Sequence, residues 1–165
     1  QQSTPIVYRY IDWIITVPLL MIEFFIILKA VGANVGIQSF LRLLIGTLVM
    51  LVFGYFGEAG VMSAQLGFTI GMLGWLVIVW EIYRGEAAKA AALASPSVGS
   101  AFNSMRWIVL VGWAIYPVGY VLGYFMGGVD QGALNAVYNL ADFVNKILFG
   151  LIIWNLAIKD SDLSH

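Results

Sequence analysis

Five apolar runs, each long enough to cross a lipid bilayer as a helix, constrain this chain more than any other feature. A hydrocarbon core about 30 Å thick needs about 20 apolar helical residues. Only helices and closed barrels satisfy their backbone groups in lipid, and runs of this length favour helices. The sequence therefore predicts an all-α integral membrane protein with spans at Ile6–Lys29, Phe40–Gly57, Ser63–Tyr83, Ser97–Met126 and Ala133–Ile158.

The connections between these spans are short and rich in turn-forming residues. They are Gly32-Ala33-Asn34, Glu58-Ala59-Gly60, the alanine-rich stretch from Lys89 to Pro96, and residues 127–132. We therefore expect neighbouring helices to be antiparallel and residues 1–165 to form a single transmembrane helical domain. The segment Gln1–Pro5 has neither an initiator methionine nor a signal-peptide pattern, so we expect a processed or truncated piece of a longer polypeptide.

The composition excludes several classes of protein. Hydrophobic residues make up 61% of the chain and charged residues 10%, whereas soluble domains carry about 25% charged residues. A formal net charge of −1 does not suit a nucleic-acid partner, which requires clustered lysine and arginine. With no cysteine and a single histidine at His165, the sequence offers no disulfide, no thiolate chemistry and no histidine-based metal site.

Basic residues predict the orientation in the membrane, because cytoplasmic connections are enriched in lysine and arginine. The connections 2–3 and 4–5 hold only Glu58 and Asp130 as charged residues. We therefore expect the opposite side, with the C-terminus, to be the cytoplasmic side of a cell inner (plasma) membrane. Six basic residues lie on that side: Lys29, Arg42, Arg84, Lys89, Arg106 and Lys159.

Five ionisable residues lie at mid-span, where each costs about 2.5–3.5 kcal/mol and marks a candidate functional site. At 100° per residue those of span 1 form one stripe, together with Thr16, and those of span 5 form another, together with Asn135 and Asn139. We expect the two stripes to face a shared interior. The five are Arg9, Asp12 and Glu23 on span 1, and Asp142 and Lys146 on span 5.

These charged residues lie at different depths along the helices relative to Lys146. Arg9, Asp12 and Asp142 lie on its outer side, whereas Glu23 lies on its inner side, about 16 Å along the helix from Asp12. Arg9 and a protonated Lys146 balance the two aspartates, so Glu23 is left without a partner and is expected to be protonated. Two interpretations remain open: a buried ion-pair staple that fixes helix register, or a proton relay that also accounts for Glu23.

A buried lysine amine can form an imine with an aldehyde, and aromatic residues at the same depth could house an apolar ligand. Trp113, Tyr116 and Tyr120 share one helix face, and Pro117 can bend the helix beside them. Each aromatic residue could equally serve ordinary packing. The mid-depth aromatics are Trp13, Trp75, Trp113, Tyr116 and Tyr120.

Four segments resemble microbial (type 1) rhodopsins, and are closest to the green-absorbing proteorhodopsins. Residues 9–20, 113–117 and 140–146 are similar to the third, sixth and seventh helices of that family, and residues 48–60 also follow its pattern. The similarity covers nearly the whole chain. It implies a seven-helix retinal-protein bundle, of which this chain supplies five helices.

The resemblance implies a light-driven outward proton pump, a transporter rather than an enzyme. All-trans retinal would be bound covalently to Lys146 as a protonated Schiff base. Asp12 would be the counterion and proton acceptor, Asp142 the second counterion, and Glu23 the cytoplasmic proton donor. Arg9 and Thr16 would tune the counterions. Positions implied for the retinal pocket are Trp13, Leu20, Met50, Trp75, Trp113, Tyr116, Pro117 and Tyr120, and Leu20 resembles the green-absorbing subgroup.

The resemblance also implies partners besides the lipid bilayer. The family's first two helices would come from another segment or chain, and the protein would form a homo-oligomer, either a pentamer or a hexamer. Two alternatives remain. A photosensory rhodopsin would need a transducer-binding surface and is disfavoured by Glu23, and an incomplete fragment would not pump.

Overall fold

The computed structural model of the chain describes residues 6–30, 35–127 and 129–162. The predicted connection Gly32-Ala33-Asn34, the segment Gln1–Pro5 and His165 lie outside these residues. All regular structure in the described ranges is helical. The elements are α1 (Ile6–Ala30), α2 (Ile37–Glu58), α3 (Ala64–Arg84), α4 (Glu86–Leu93), α5 (Pro96–Trp107), π1 (Ile108–Gly112), α6 (Ile115–Tyr120), π2 (Val121–Phe125) and α7 (Gln131–Asp162).

The described residues include five helical stretches that are long and apolar enough to cross a membrane, so the predicted all-α fold class is confirmed. α1, α2 and α7 each form one stretch. The third stretch joins α3 to α4 and ends at Leu93, and the fourth runs from Pro96 to Phe125 through α5, π1, α6 and π2.

The predicted connection from Lys89 to Pro96 is too long, because most of it is helix α4. Alanine has the highest helix propensity, and α4 reads Glu-Ala-Ala-Lys-Ala-Ala-Ala-Leu. Its first turn is stabilised by Glu81, whose carboxylate accepts a hydrogen bond from the Ala87 N–H at 3.1 Å. The next helix starts at once, with Ser95 as its N-cap and Pro96 in its first turn.

α2 and α3 pack backbone against backbone, because glycines face each other along their contact. A Cβ placed on Gly74 would lie 2.6 Å from the Gly46 carbonyl oxygen, and one on Gly67 would lie 2.7 Å from the Gly57 Cα. Small residues allow such an approach between helices in a membrane. α2 and α3 therefore form a closely packed pair within the bundle.

Candidate functional site

Lys146 of α7 meets a carboxylate from a different helix. Its Nζ donates a hydrogen bond to Asp12 Oδ2 of α1 at 2.5 Å, and it lies 4.0 Å from Asp142 Oδ2, one turn earlier on its own helix. The predicted stripes on α1 and α7 therefore meet at these side chains. The result is one amine between two carboxylates, in a part of the chain that is long and apolar enough to cross a membrane.

The two carboxylates differ in surroundings. Asp142 accepts hydrogen bonds from Trp13 Nε1 at 2.6 Å and from the Tyr116 hydroxyl, and its side chain is 15% exposed. The Asp12 side chain is 47% exposed. Thr16 does not support the Asp12 carboxylate, because its hydroxyl donates to the Asp12 backbone carbonyl at 3.0 Å. Asp142 is thus fixed by two donors, whereas Asp12 is held chiefly by the lysine.

Arg9 contacts different partners from those the sequence predicts. Its guanidinium donates to Glu58 of α2 and to Asn135 of α7, instead of pairing with the two aspartates. It also lies over the Tyr138 ring, with its Cζ 4.8 Å from the ring centroid. The sequence prediction fails here because its charge balance left Glu58 out.

The assignment of Glu58 to a connection is wrong. α2 continues one residue past the predicted end at Gly57, so Glu58 remains on the helix, and its side chain is 2% exposed. It accepts hydrogen bonds from the hydroxyls of Tyr10 at 3.0 Å and Tyr124 at 2.9 Å, besides its ion pair with Arg9. A buried Arg9–Glu58 pair, with these two tyrosines, therefore forms a second charged cluster beside the first.

Glu23 lies on the same helix as Asp12 but in a different setting. Its side chain is half-buried, and no hydrogen bond or ion pair joins it to any residue that the structure describes. Its neighbour Phe24 is fully buried and packs edge to face with Phe102 and Phe149, each with a centroid separation of 5.3 Å. An apolar aromatic layer thus lies at the level of Glu23.

A cavity lies between the helices, and Lys146 and Asp142 are among its lining residues. Its empty volume is about 870 Å³, including its open mouth. All eight positions that the sequence suggests for a pocket line it: Trp13, Leu20, Met50, Trp75, Trp113, Tyr116, Pro117 and Tyr120. Other lining residues are not among the positions that the sequence suggests, and they include Gly54, Glu58, Phe68, Gly71, Tyr138 and Asn145.

Chemically, this cavity can hold an apolar molecule. Cavities for small molecules are mostly apolar with a few fixed polar groups. Here the lining is largely apolar and aromatic, and its charged groups are Glu58, Asp142 and Lys146. The Lys146 amine can condense with an aldehyde, and the adjacent carboxylates can balance the charge of the protonated nitrogen. The residues present therefore fit a retinal-type aldehyde bound at Lys146.

A membrane helix bundle with a lysine amine set between carboxylates in the lining of an aromatic cavity is a retinal-protein architecture. The chain belongs to the family of bacteriorhodopsin-like proteins, whose sequence profile matches residues 1–160. The resemblance to microbial rhodopsins is thus confirmed.

Relatives and solved structures agree with this membership. The chain is 58% identical over 162 residues to the green-light absorbing proteorhodopsin of Gamma-proteobacterium EBAC31A08, covering 96% of this chain and 64% of that protein. It is 56% identical to the blue-light absorbing proteorhodopsin of Gamma-proteobacterium Hot 75m4, with the same coverage. The chain therefore spans just under two thirds of the length of these relatives.

Among solved structures, the blue light-absorbing proteorhodopsin from Med12 superposes with a TM-score of 0.80 at 49% identity, covering 96% of this chain and 70% of that one. The rhodopsin of Exiguobacterium sibiricum superposes with a TM-score of 0.87 at 34% identity, covering 98% of this chain and 75% of that one. Together with its five membrane-length helices, these matches make the chain a multi-pass membrane protein of the rhodopsin family.

Proposed function

We propose that this chain carries the photoactive and proton-transferring part of a light-driven outward proton pump. The observation that carries the proposal is the Lys146 amine, which lies 2.5 Å from Asp12 and lines an aromatic cavity. All-trans retinal bound to this amine would supply light absorption and an isomerisation that moves the nitrogen and its proton. The names of the proteorhodopsin relatives support light absorption as the input.

Asp12 is the proposed proton acceptor. Its carboxylate lies closest to the lysine nitrogen, so it balances the positive charge before transfer and receives the proton afterwards. Asp142 is the proposed second counterion. Trp13 and Tyr116 both donate to it, and its carboxylate lies 4.0 Å from the lysine nitrogen, farther than that of Asp12.

Glu23 is the proposed donor that returns a proton to the lysine nitrogen from the other side. Its isolation from the ion pairs of the described residues supports this assignment, because a donor must hold its proton until the nitrogen needs it. The aromatic rings of Phe24, Phe102 and Phe149 pack beside Glu23 and give it an apolar setting.

The open face beside Lys146 supports a role for further helical segments. Asp12 and Lys146 are partly exposed, with 47% and 29% of their side chains accessible, and charged groups of this kind are costly against lipid. We propose that two further helices, from another segment or chain, cover this face and complete the retinal site. A cytoplasmic C-terminus in the plasma membrane and a homo-oligomer of five or six copies remain predictions.

The experiment that tests the proposal begins with the pigment. Purified protein is mixed with all-trans retinal and reduced with borohydride, and the modified lysine is located by mass spectrometry. A red-shifted visible band and an adduct on Lys146 are expected. Lys146→Ala removes both, whereas Lys159→Ala, which changes an exposed lysine at the far end of the same helix, retains them.

Light-driven pH change in vesicles then separates the alternatives. Proton release on the outer side that disappears in Asp12→Asn supports a pump. A stable pigment with a slow photocycle and no pH change indicates a photosensor. Only free-retinal absorption means that these five helices do not form the site alone, and co-expression with a segment bearing the first two helices of a relative tests whether they complete it.

A further inference from the structure

Helix hydrogen bonding is interrupted beside the cavity, and the interruption leaves two carbonyl groups without their usual donors. In an α-helix the carbonyl of residue i accepts from the N–H of residue i+4. For Val109 that donor is Trp113, whose N–H instead bonds the Ile108 carbonyl at 3.0 Å, in the wider π spacing. For Gly112 the donor is Tyr116, whose N–H instead bonds the Trp113 carbonyl at 3.1 Å.

The next donor along the chain does not rescue the Gly112 carbonyl. Five residues after Gly112 comes Pro117, which has no N–H. A buried carbonyl without a donor costs about 1–3 kcal/mol. Both carbonyls are instead capped by side chains that line the cavity: Trp75 Nε1 donates to Val109 O at 3.2 Å, and Asn145 Nδ2 donates to Gly112 O at 3.0 Å.

Asn145 occupies a special position, because it immediately precedes Lys146 and is 8% exposed. Its amide is seated against Gly112, where a Cβ would collide with Asn145 Oδ1. A glycine at position 112 is therefore what lets the amide reach the carbonyl. Trp113, the next residue after Gly112, is 6% exposed and lines the cavity.

We propose that Asn145 is a positioning residue: by capping the Gly112 carbonyl it fixes the turn between π1 and α6, and with it the placement of Trp113 and Tyr116 against the Lys146 site. Tyr116 in turn donates to Asp142. The Asn145 cap thus connects the backbone of the fourth span to both the cavity wall and a carboxylate beside the lysine. This inference deepens the proposed function and rests on it for the chromophore, but the cap itself is a property of the protein alone.

The first test uses hydrogen exchange of the protein without retinal, in lipid nanodiscs. Asn145→Leu removes the donor at similar volume, and Gly112→Ala displaces the amide without changing it. Both are expected to raise exchange in a peptide spanning residues 108–118 about tenfold, which corresponds to about 1.4 kcal/mol, while peptides of α2 and α3 keep their protection. Asn139→Leu on the exposed face of α7 and Gly150→Ala, where a Cβ meets no atom within 4 Å, are the controls.

A second variant distinguishes capping from packing. Pro117→Ala restores an N–H five residues after Gly112, so it supplies a donor in the π spacing. In this background Asn145→Leu should raise exchange by clearly less than tenfold. An unchanged tenfold effect, or equal exchange in Asn145→Leu and Asn139→Leu, would overturn the proposal.

The pigment provides the readout for the site itself. In retinal-loaded protein, Asn145→Leu and Gly112→Ala should shift the visible band in the same direction and speed bleaching by hydroxylamine about tenfold. A wild-type band together with wild-type bleaching in both variants would refute the positioning role. If the unmodified protein forms no pigment even when co-expressed with a segment bearing the first two helices of a relative, the proposed function fails, whereas the exchange measurements still decide whether Asn145 caps the turn.

Discussion

The buried Arg9–Glu58 pair gives a quantitative prediction about stability. Both side chains are more than nine-tenths buried, at 6% and 2% exposure. Neutralising one member of a buried pair leaves the other charge without compensation, and such changes cost about 3–5 kcal/mol. Glu58→Gln keeps the shape of the side chain, and its amide oxygen can still accept from a tyrosine. We therefore expect a loss of about 3 kcal/mol in the free energy of unfolding, at the lower end of that range.

A double-mutant cycle tests whether this loss comes from the pair. Arg9→Gln should also destabilise the protein, because it leaves the Glu58 carboxylate buried with only two tyrosine donors. The double variant leaves no uncompensated charge, so its loss should be smaller than the sum of the single losses by about 2 kcal/mol or more. Unfolding in mixed detergent micelles, followed by circular dichroism at several denaturant fractions, supplies the three free energies.

A matched control comes from a second arginine. Arg42 pairs with Glu86 at 3.3 Å, and both side chains are more than a third exposed, at 36% and 38%. Exposed pairs contribute about 0–1 kcal/mol after solvent screening, so Glu86→Gln should cost less than 1 kcal/mol. Additive losses for Arg9→Gln and Glu58→Gln, or equal losses for Glu58→Gln and Glu86→Gln, would refute the reasoning.

Three further predictions concern the proposed photocycle and the packing. Glu23→Gln should slow recovery of the resting pigment at high pH, measured by flash photolysis, and an unchanged decay would remove Glu23 as donor. Trp13→Phe removes a hydrogen-bond donor to Asp142, so the visible absorption band of the pigment should shift while retinal stays bound to Lys146. An unshifted band would mean that this hydrogen bond does not tune the site. Gly74→Leu should destabilise the bundle by about 1–3 kcal/mol or more in the detergent assay, because the side chain has no space against Gly46. A stability close to wild type would show that α2 and α3 can separate at no cost.

Much of the fold could be predicted because bilayer thickness and backbone hydrogen bonding leave few choices for long apolar runs. The meeting of Asp12 and Lys146 could be predicted too, since charges inside a span must face one another. The helix in the alanine-rich stretch could not be predicted from hydropathy. Small and charged residues resemble a connection in a hydropathy profile, yet helix propensity and the Glu81 contact to Ala87 make it helix α4.

The remaining parts depend on contacts that no sequence pattern encodes. The burial of Glu58 follows from a single extra residue at the end of α2, which keeps the side chain on the helix face toward Arg9. Nothing in the sequence distinguishes Asn145 except its place beside Lys146. Its role depends on where π1 begins, because the π spacing leaves the Gly112 carbonyl without a backbone donor. The start of π1 is in turn decided by the packing of the fourth span against its neighbours.

The distribution of charge along the bundle bears on the direction of proton transfer. On one side of Lys146 lie Asp12, Asp142 and the Arg9–Glu58 pair, so a proton that leaves the nitrogen finds acceptors and polar hydrogen-bonding groups within a short reach. On the other side, Phe24, Phe102 and Phe149 pack edge to face, and Glu23 lies beside them without an ion pair in the described residues. A proton crosses an apolar aromatic layer slowly, because no fixed group there can accept it. Outward transfer is therefore favoured by proximity, because Asp12 lies 2.5 Å from the nitrogen. The unequal surroundings on the two sides of one lysine thus support the proposed direction of the pump.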